Sequence, residues 1–170
     1  MVDTLLDLRY ENLIVLDISG EALERAKERL GAAANRVQWV VSNITEYKPT
    51  DPFELWHDWA AFHFLTTTEE TNSYLSLVEQ SILSGGYLSI ATFSDNGPTS
   101  CSGLPVHRYS MDELTNQFSR KFKKTPLYRR RPLNPVLHFA KIYFLPISED
   151  IRSSINTLLV KNVTLVSSSF

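Results

Sequence analysis

The sequence has 170 residues, enough for one domain with a full hydrophobic core, and 43% of them are hydrophobic while 21% are charged. Its 17 basic and 19 acidic residues leave a net charge of −2, which provides no overall field to attract nucleic acid or an anionic membrane. The single cysteine, Cys101, excludes an intrachain disulfide framework and a cysteine-rich metal site, and no apolar run approaches the thickness of a bilayer. We therefore expect a cytoplasmic protein without a bound metal or a membrane partner.

The clearest pattern in the chain is a strand, an acid and a helix between residues 13 and 31. Residues 13–16 read LIVL without polar alternation, which predicts a strand covered on both faces, as in a parallel sheet between helices. Ser19 suits a helix N-cap and Gly31 a helix end. Asp17 stands between them, where doubly wound folds hydrogen-bond a ribose, although a cap or a solvated loop residue would look the same.

The other predicted elements follow in chain order. A strand, a helix and a strand come first, and the same order is then repeated, which predicts a doubly wound α/β sheet. We assign residues 1–145 to this domain and leave 146–170 as an extension of unknown role. The elements are the end of a helix at 2–8, strands at 36–42, 53–58 and 87–93, a helix from Thr67 or Thr68 that ends before Gly85 and Gly86, a long loop at 94–106, a short helix at 110–118, strands at 121–131 and 136–145, a helix at 149–158 and a β-prone run at 158–166.

Several of these segments, taken together, resemble the Rossmann-like (class I) S-adenosylmethionine-dependent methyltransferases. They are VLDIS at 15–19, WVVSNI at 39–44, FELWHD at 53–58 with FHFL at 62–65, LSGGYL at 83–88, CSGLP at 101–105 and RY at 108–109. The resemblance covers roughly residues 2–145. It implies a mostly parallel sheet with one antiparallel strand near the carboxyl end, at 136–145, and S-adenosylmethionine as cofactor.

The resemblance also implies roles for single residues. Asp17 matches the acid that bonds the ribose hydroxyls, and Asn43 stands where the family usually has an Asp that accepts from the adenine amino group. Trp59 replaces an expected Arg. The implied cofactor residues are Asp17, Ile18, Asn43, Ile44 and His57, and the implied substrate-side residues are Asp58, Trp59, His63, Leu104 and Arg108. The catalytic residue and the methyl acceptor are not identified.

Each of these side chains also has a simpler interpretation. His57 and His63 suit buried histidines, Trp56, Trp59, Phe62 and Phe64 suit the core, and Gly85 with Gly86 suits a helix exit and turn. The basic segments 120–124 and 129–131 suit a solvated hairpin better than an RNA-binding surface at this net charge. Cys101 has no assigned base and makes a poor candidate nucleophile.

The sequence differs most from the family in its amino-terminal residues. The twelve residues before Leu13 contain no glycine, so the family's first strand and its glycine-rich cofactor loop are missing from this sequence. That strand normally lies between those at residues 13 and 53, and a gap there would leave buried backbone groups unpaired. We predict that residues 158–166 fill the gap, either within one chain or exchanged between two copies in a homodimer.

Two functions follow from these observations. The first is a methyltransferase that acts by direct displacement and whose cofactor binding is impaired in this chain. The second is a non-catalytic remnant that serves as an interaction or assembly module. Exposure of Asp17 and Asn43 at one open cleft favours the first, whereas burial of that cleft favours the second. We also expect the loop at 94–106 to overhang the sheet near His57 and Asp58.

Overall fold

The computed structural model describes residues 1–120, 122–124, 139–146 and 163–167. The predicted helix at 149–158 and the basic segment at 129–131 lie outside these residues. The helices are α1 (Val2–Asp7), α2 (Gly20–Leu30), α3 (Thr68–Ser81) and α4 (Met111–Phe118), with 3₁₀ turns at Gly31–Arg36 and Phe62–Phe64. The strands are β1 (Leu13–Asp17), β2 (Val37–Val41), β3 (Phe53–Trp59), β4 (Ile82–Phe93), β5 (Ser100–Cys101), β6 (Leu104–Pro105), β7 (Phe122–Lys124), β8 (Phe139–Pro146) and β9 (Val163–Ser167).

Seven of the strands form one sheet, in the order β2-β1-β9-β3-β4-β8-β7. The pairs from β2 across to β4 are all parallel, while β8 runs antiparallel to both β4 and β7. This arrangement confirms the predicted doubly wound, mostly parallel sheet with an antiparallel strand near the carboxyl end of the sequence.

Strand β9 lies in the centre of the sheet and fills the predicted gap. Leu165 is in register with Val15 of β1 on one side and with His57 of β3 on the other. Because β9 belongs to the same chain, the sheet is complete without exchange between copies. Part of the 146–170 segment is therefore a central structural element, placed where its backbone groups are paired on both edges.

The two faces of the sheet carry separate hydrophobic clusters, as expected when helices cover both sides. Leu13 and Val15 pack with residues of α1 and α2, including Leu23. Leu16, which points the other way from the same strand, packs in a cluster with Tyr74 of α3. The absence of polar alternation in β1 thus reflects burial on both faces.

The helix starts were predicted from their caps, and the caps form as expected. The Ser19 hydroxyl accepts a hydrogen bond from the Ala22 amide at the start of α2, and Gly31 follows its last residue with a φ of 55°. The Thr67 and Glu70 side chains form a reciprocal capping box at the start of α3. These local bonds satisfy amide groups that a helix cannot pair internally.

The prediction of a turn at Gly85 and Gly86 is wrong. The helix α3 ends at Ser81 and both glycines lie within β4, at an irregularity where the pairing with β3 changes register. A Cβ atom on Gly86 would lie 2.9 Å from the carbonyl oxygen of Glu54, and Gly85 has a φ of 81°. The glycines are required by the close approach of two strands and by a bulge-like backbone.

Candidate functional site

The candidate site is the edge of the sheet at which the parallel strands end. From β1 the chain passes through α2 outward to β2, whereas from β3 it passes through α3 to β4 in the opposite direction. The strand order therefore reverses between β1 and β3, where β9 lies. Open α/β sheets bind ligands outside the carboxyl ends of the strands at such a reversal.

Asp17 ends β1 at this edge and is fully buried. One of its carboxylate oxygens accepts a hydrogen bond of 2.8 Å from the Ser19 amide. Its backbone oxygen accepts a bond of 3.2 Å from the amide of Ser42, just beyond β2. The ends of β1 and β2 are thus joined, and Asp17 and Asn43 come to the same part of the edge.

Asn43 is held by an Asx-type turn with Thr45. Its side-chain oxygen accepts from the Thr45 amide at 3.1 Å and from the Thr45 hydroxyl at 3.0 Å. Since a carbonyl oxygen has two lone pairs, the polar groups that Asn43 has left to offer are its amide donors. Ile44, next in the chain, is only 6% exposed and packs in the core cluster of the α3 face.

Apolar side chains are exposed at the same edge. Ile18 follows Asp17 and is 61% exposed, and Val41 at the end of β2 is equally exposed. Val41 was not identified from the sequence, because an apolar residue at a strand end looks like core until the neighbouring elements are placed. Trp59 ends β3 and keeps 44% of its surface exposed, so for this aromatic the core interpretation is wrong.

His57 lies behind Trp59 on the same face of β3 and is almost entirely buried. Its Nδ1 lies 3.0 Å from the hydroxyl oxygen of Ser89 on β4. The imidazole and the indole of Trp59 are stacked, with centroids 6.2 Å apart and planes 27° apart. The arrangement brings together a predicted cofactor residue and a predicted substrate-side residue.

Asp58 is buried on the other face of β3, in a polar network inside the α3 side of the sheet. The carboxylate accepts a 2.7 Å bond from the Tyr74 hydroxyl, which itself accepts from the Trp56 indole at 3.2 Å. The Ala61 amide donates to the second carboxylate oxygen at 2.9 Å. Burial raises the pKa of Asp58 to about 6, against the opposing effect of the Tyr74 bond. Tyr74 was not identified from the sequence, because a tyrosine among the apolar residues of a helix looks like core until its hydroxyl is placed.

The turn after β3 holds a strained residue. Ala60 has a φ of 71°, in the left-handed region that residues other than glycine and asparagine rarely occupy. Its amide donates to the carbonyl oxygen of Ala91 at 2.9 Å, and the next amide is the one bound by Asp58. Such strain persists only where the surroundings determine the backbone on several sides, and it is concentrated at functional sites.

His63 is completely buried near the same turn, and neither ring nitrogen has a hydrogen-bond partner among the residues that the structure describes. Its imidazole stacks on Phe93 at 4.5 Å and 27°, and it also contacts Phe64 at 4.5 Å. Burial lowers the pKa of His63 to about 4, so the ring is neutral at physiological pH.

The loop at 94–106 is tied to the carboxyl end of β4. The amides of His107 and Tyr109 donate to the carbonyl oxygens of His63 and Phe93, at 2.8 and 2.9 Å. Strands β5 and β6 make a small hairpin in the loop, with Leu104 49% exposed.

Arg108 closes the base of this loop. Its guanidinium donates to the carbonyl oxygens of Asp95 at 2.9 Å and Gly97 at 3.3 Å. These contacts make Arg108 a residue that positions the loop. The loop does reach the carboxyl edge, and the substrate-side roles implied for Leu104 and Arg108 stay predictions.

The two buried ionisable groups predict opposite pH dependences of stability. For Asp58 the folded-state pKa is about 6, above the ordinary 3.8, so the folded state holds more protons and stability falls as pH rises from about 4 to 6. For His63 the folded-state pKa is about 4, below the ordinary 6.5, so the unfolded state holds more protons and stability rises with pH over nearly the same range. The two contributions, on the order of 3 kcal/mol each, have opposite signs and so oppose one another in the parent protein.

Single substitutions should reveal each contribution. Between pH 4 and 6, we expect the free energy of unfolding of Asp58→Asn to rise with pH and that of His63→Phe to fall. Each change should differ from the change in the parent by about 2–3 kcal/mol. Urea denaturation at four pH values in this range measures both slopes. Two variants with the parent's pH profile would contradict the assignment.

Among the described residues, no group of three His, Cys, Asp or Glu side chains is arranged to hold a metal ion. Within the same part of the chain, no helix is both long enough and apolar enough to cross a membrane.

Comparison with solved structures identifies the fold. The N-methyltransferase NodS of Bradyrhizobium japonicum, in complex with S-adenosyl-L-homocysteine, matches with a TM-score of 0.63 and 13% identity, over 81% of this chain and 67% of that chain. The 1,6-didemethyltoxoflavin-N1-methyltransferase of Burkholderia thailandensis, with 1,6-didemethyltoxoflavin and S-adenosylhomocysteine bound, matches at 0.62 and 14%, over 86% and 76%. An S-adenosylmethionine-dependent methyltransferase of Mesorhizobium loti matches at 0.61 and 15%, over 79% and 80%.

Two searches with the amino-acid sequence found no relatives. No family model matches the chain. A search of curated proteins finds no match either. At such low identity the structural matches establish the architecture, and they agree with the strand order and the antiparallel strand described above. The chain therefore has the Rossmann-like fold of the class I S-adenosylmethionine-dependent methyltransferases.

Proposed function

We propose that this chain binds S-adenosylmethionine along the carboxyl ends of β2, β1 and β9, and that it transfers the methyl group to an acceptor beside β3 and β4. The observation that carries the proposal is Asp17, a carboxylate at the end of β1 beside the reversal of strand order. Two of the structural matches, NodS and the 1,6-didemethyltoxoflavin-N1-methyltransferase, have structures with S-adenosylhomocysteine bound.

The residues at this edge fit an adenosine group. A carboxylate has about four lone-pair sites, and a ribose diol supplies two donors to such a group. The exposed apolar surfaces of Ile18 and Val41 suit the flat faces of an adenine. Asn43, whose oxygen is bound by Thr45, would donate to a ring nitrogen of the base.

The contribution of the protein to the reaction is positioning. When bound, S-adenosylmethionine supplies a methyl group on a positively charged sulfur. The lone pair of an acceptor attacks the methyl carbon directly, and the sulfur leaves as S-adenosylhomocysteine. The residues of this chain hold the two molecules in line and exclude water between them, which converts a bimolecular reaction into an intramolecular one. The loop at 94–106, held by Arg108, covers the acceptor side.

A nuclear magnetic resonance titration with S-adenosylhomocysteine tests this site. We expect amide shifts concentrated at residues 17–19 and 41–44. Asp17→Asn should reduce the affinity about tenfold or more, because one acceptor for the diol becomes a donor. Asp51→Ala, which removes an exposed carboxylate before β3, is the control and should leave the titration unchanged. Shifts that appear elsewhere, or that survive in folded Asp17→Asn, would refute the proposal.

The second candidate is a non-catalytic module with the methyltransferase fold. One observation favours it. Asp17 is fully buried although its neighbour Ile18 is exposed. A methyl-transfer assay with a mixture of acceptors separates the two candidates, because a module would release no S-adenosylhomocysteine.

A further inference from the structure

We propose that Trp59 is the stacking platform for the methyl acceptor, and that the acceptor is a planar aromatic or heteroaromatic molecule. This inference rests on the proposed function and adds the chemical class of the substrate. It starts from a side chain for which the sequence left two interpretations, substrate side and core, and which the structure exposes at the site.

The position of Trp59 assigns it to the acceptor side. It ends β3, in register with Ser167 of β9 and Ala91 of β4. Asp17 ends β1, on the far side of β9. Because neighbouring strands lie about 4.8 Å apart, the ends of β1 and β3 are separated by about 10 Å. If the cofactor's ribose binds at Asp17, its adenine extends toward β2, away from Trp59. The indole of Trp59 is therefore available to a second molecule, the methyl acceptor.

The indole is also held in place. His57 stacks behind it, and the hydrogen bond between His57 and Ser89 fixes that imidazole in turn. The next residue, Ala60, is held in its strained conformation by the carbonyl of Ala91. A rigid aromatic face loses little conformational entropy when a ligand stacks on it.

The buried network on the other face of β3 stabilises the same turn. Asp58 accepts from the Ala61 amide and from the Tyr74 hydroxyl, and Tyr74 accepts from Trp56. These bonds fix the backbone on both sides of Trp59 without using its side chain. We assign Asp58 and Tyr74 as positioning residues for the platform.

The chemistry of the site favours a flat, uncharged ligand over an aliphatic amine. A cationic amine is held most firmly where a carboxylate stands beside the aromatic face, and the carboxylate next to Trp59, that of Asp58, is buried and bonded to Ala61 and Tyr74. The exposed surface beside it is aromatic, and Leu104, an exposed side chain of the loop hairpin, is apolar. Stacking on an aromatic side chain is the interaction that these groups offer.

The test compares two neutral probes of the same size, benzamide and cyclohexanecarboxamide, in a nuclear magnetic resonance titration of the full chain. We expect benzamide to shift the indole N–H signal of Trp59 and to bind about fivefold or more tightly than the saturated amide. Trp59→Leu should weaken benzamide binding about tenfold, while Trp59→Phe should retain most of it. Leu83→Ala, an exposed apolar residue near the start of β4, is the control and should bind benzamide as the parent does.

Three outcomes would overturn the proposal: equal affinity for the two amides, unchanged benzamide binding in folded Trp59→Leu, or displacement of benzamide from Trp59 by adenosine. The last would assign the indole to the adenine of the cofactor. Titration of Trp59→Leu with S-adenosylhomocysteine keeps the two hypotheses separate. If S-adenosylhomocysteine still shifts the amides of residues 17–19 in Trp59→Leu, the cofactor site is supported whatever the benzamide result. If it shifts none of these amides in the parent protein, the cofactor site is refuted, while benzamide binding at Trp59 can still be measured.

Discussion

Leu165→Pro should destabilise this protein by about 3 kcal/mol or more, a large part of the 5–15 kcal/mol that stabilises a typical domain of about this size. Leu165 lies in the middle of β9, paired with Val15 on one side and His57 on the other. Proline removes a backbone donor and leaves a carbonyl of a neighbouring strand buried without its partner. Because β9 joins the two halves of the sheet, the loss affects both.

The matched control is Lys123→Pro on β7, which among the described strands lies at the edge of the sheet and pairs with β8 alone. Edge strands tolerate proline better, so this change should cost clearly less than Leu165→Pro. Urea denaturation followed by circular dichroism measures both values. Equal, small effects of the two substitutions would show that β9 does not complete the sheet in solution.

The affinity of this chain for S-adenosylhomocysteine should be on the order of 10²- to 10⁴-fold lower than that of a methyltransferase with a glycine-rich cofactor loop. Such a loop brings backbone amides close to the methionine end of the cofactor. Loss of two such donors costs about 1.5–3 kcal/mol each where the partner is charged. If Asp17 holds the ribose as proposed, its burial should lower the affinity further, since the groups that cover it must move first.

Isothermal titration calorimetry of this chain and of the NodS enzyme, under identical conditions, measures the difference. NodS is a suitable reference because its structure contains S-adenosylhomocysteine. Binding by this chain within tenfold of the affinity of NodS, and abolished by Asp17→Ala, would contradict the prediction. That result would show that β9 and the residues around it position the cofactor without a glycine-rich loop.

The sequence by itself determined the elements whose signals are local. The apolar run of β1, Asp17 at its end and the Ser19 cap of α2 lie within seven residues, and the structure has all three. The Thr67 capping box was readable for the same reason. Hydrophobic periodicity and hydrogen bonds between near neighbours do not depend on how the rest of the chain packs.

The sequence also indicated that β9 must exist, but by a different argument. A missing central strand would leave two rows of buried backbone groups unpaired, and residues 158–166 were the spare β-prone run. The described strand is Val163–Ser167, which overlaps that run at residues 163–166. Its register against β1 and β3 was not predictable, because it depends on contacts about 150 and 110 residues away in the chain.

Only the tertiary structure decided the character of the candidate site. Trp56 and Trp59 lie three residues apart in similar sequence surroundings, yet Trp56 is fully buried and Trp59 is 44% exposed. Asp58, next to Trp59, faces the core and bonds to Tyr74, sixteen residues further along the chain. Alternation along β3 sends neighbouring side chains to opposite faces, and which position is covered depends on helices and loops that the strand's own sequence does not specify.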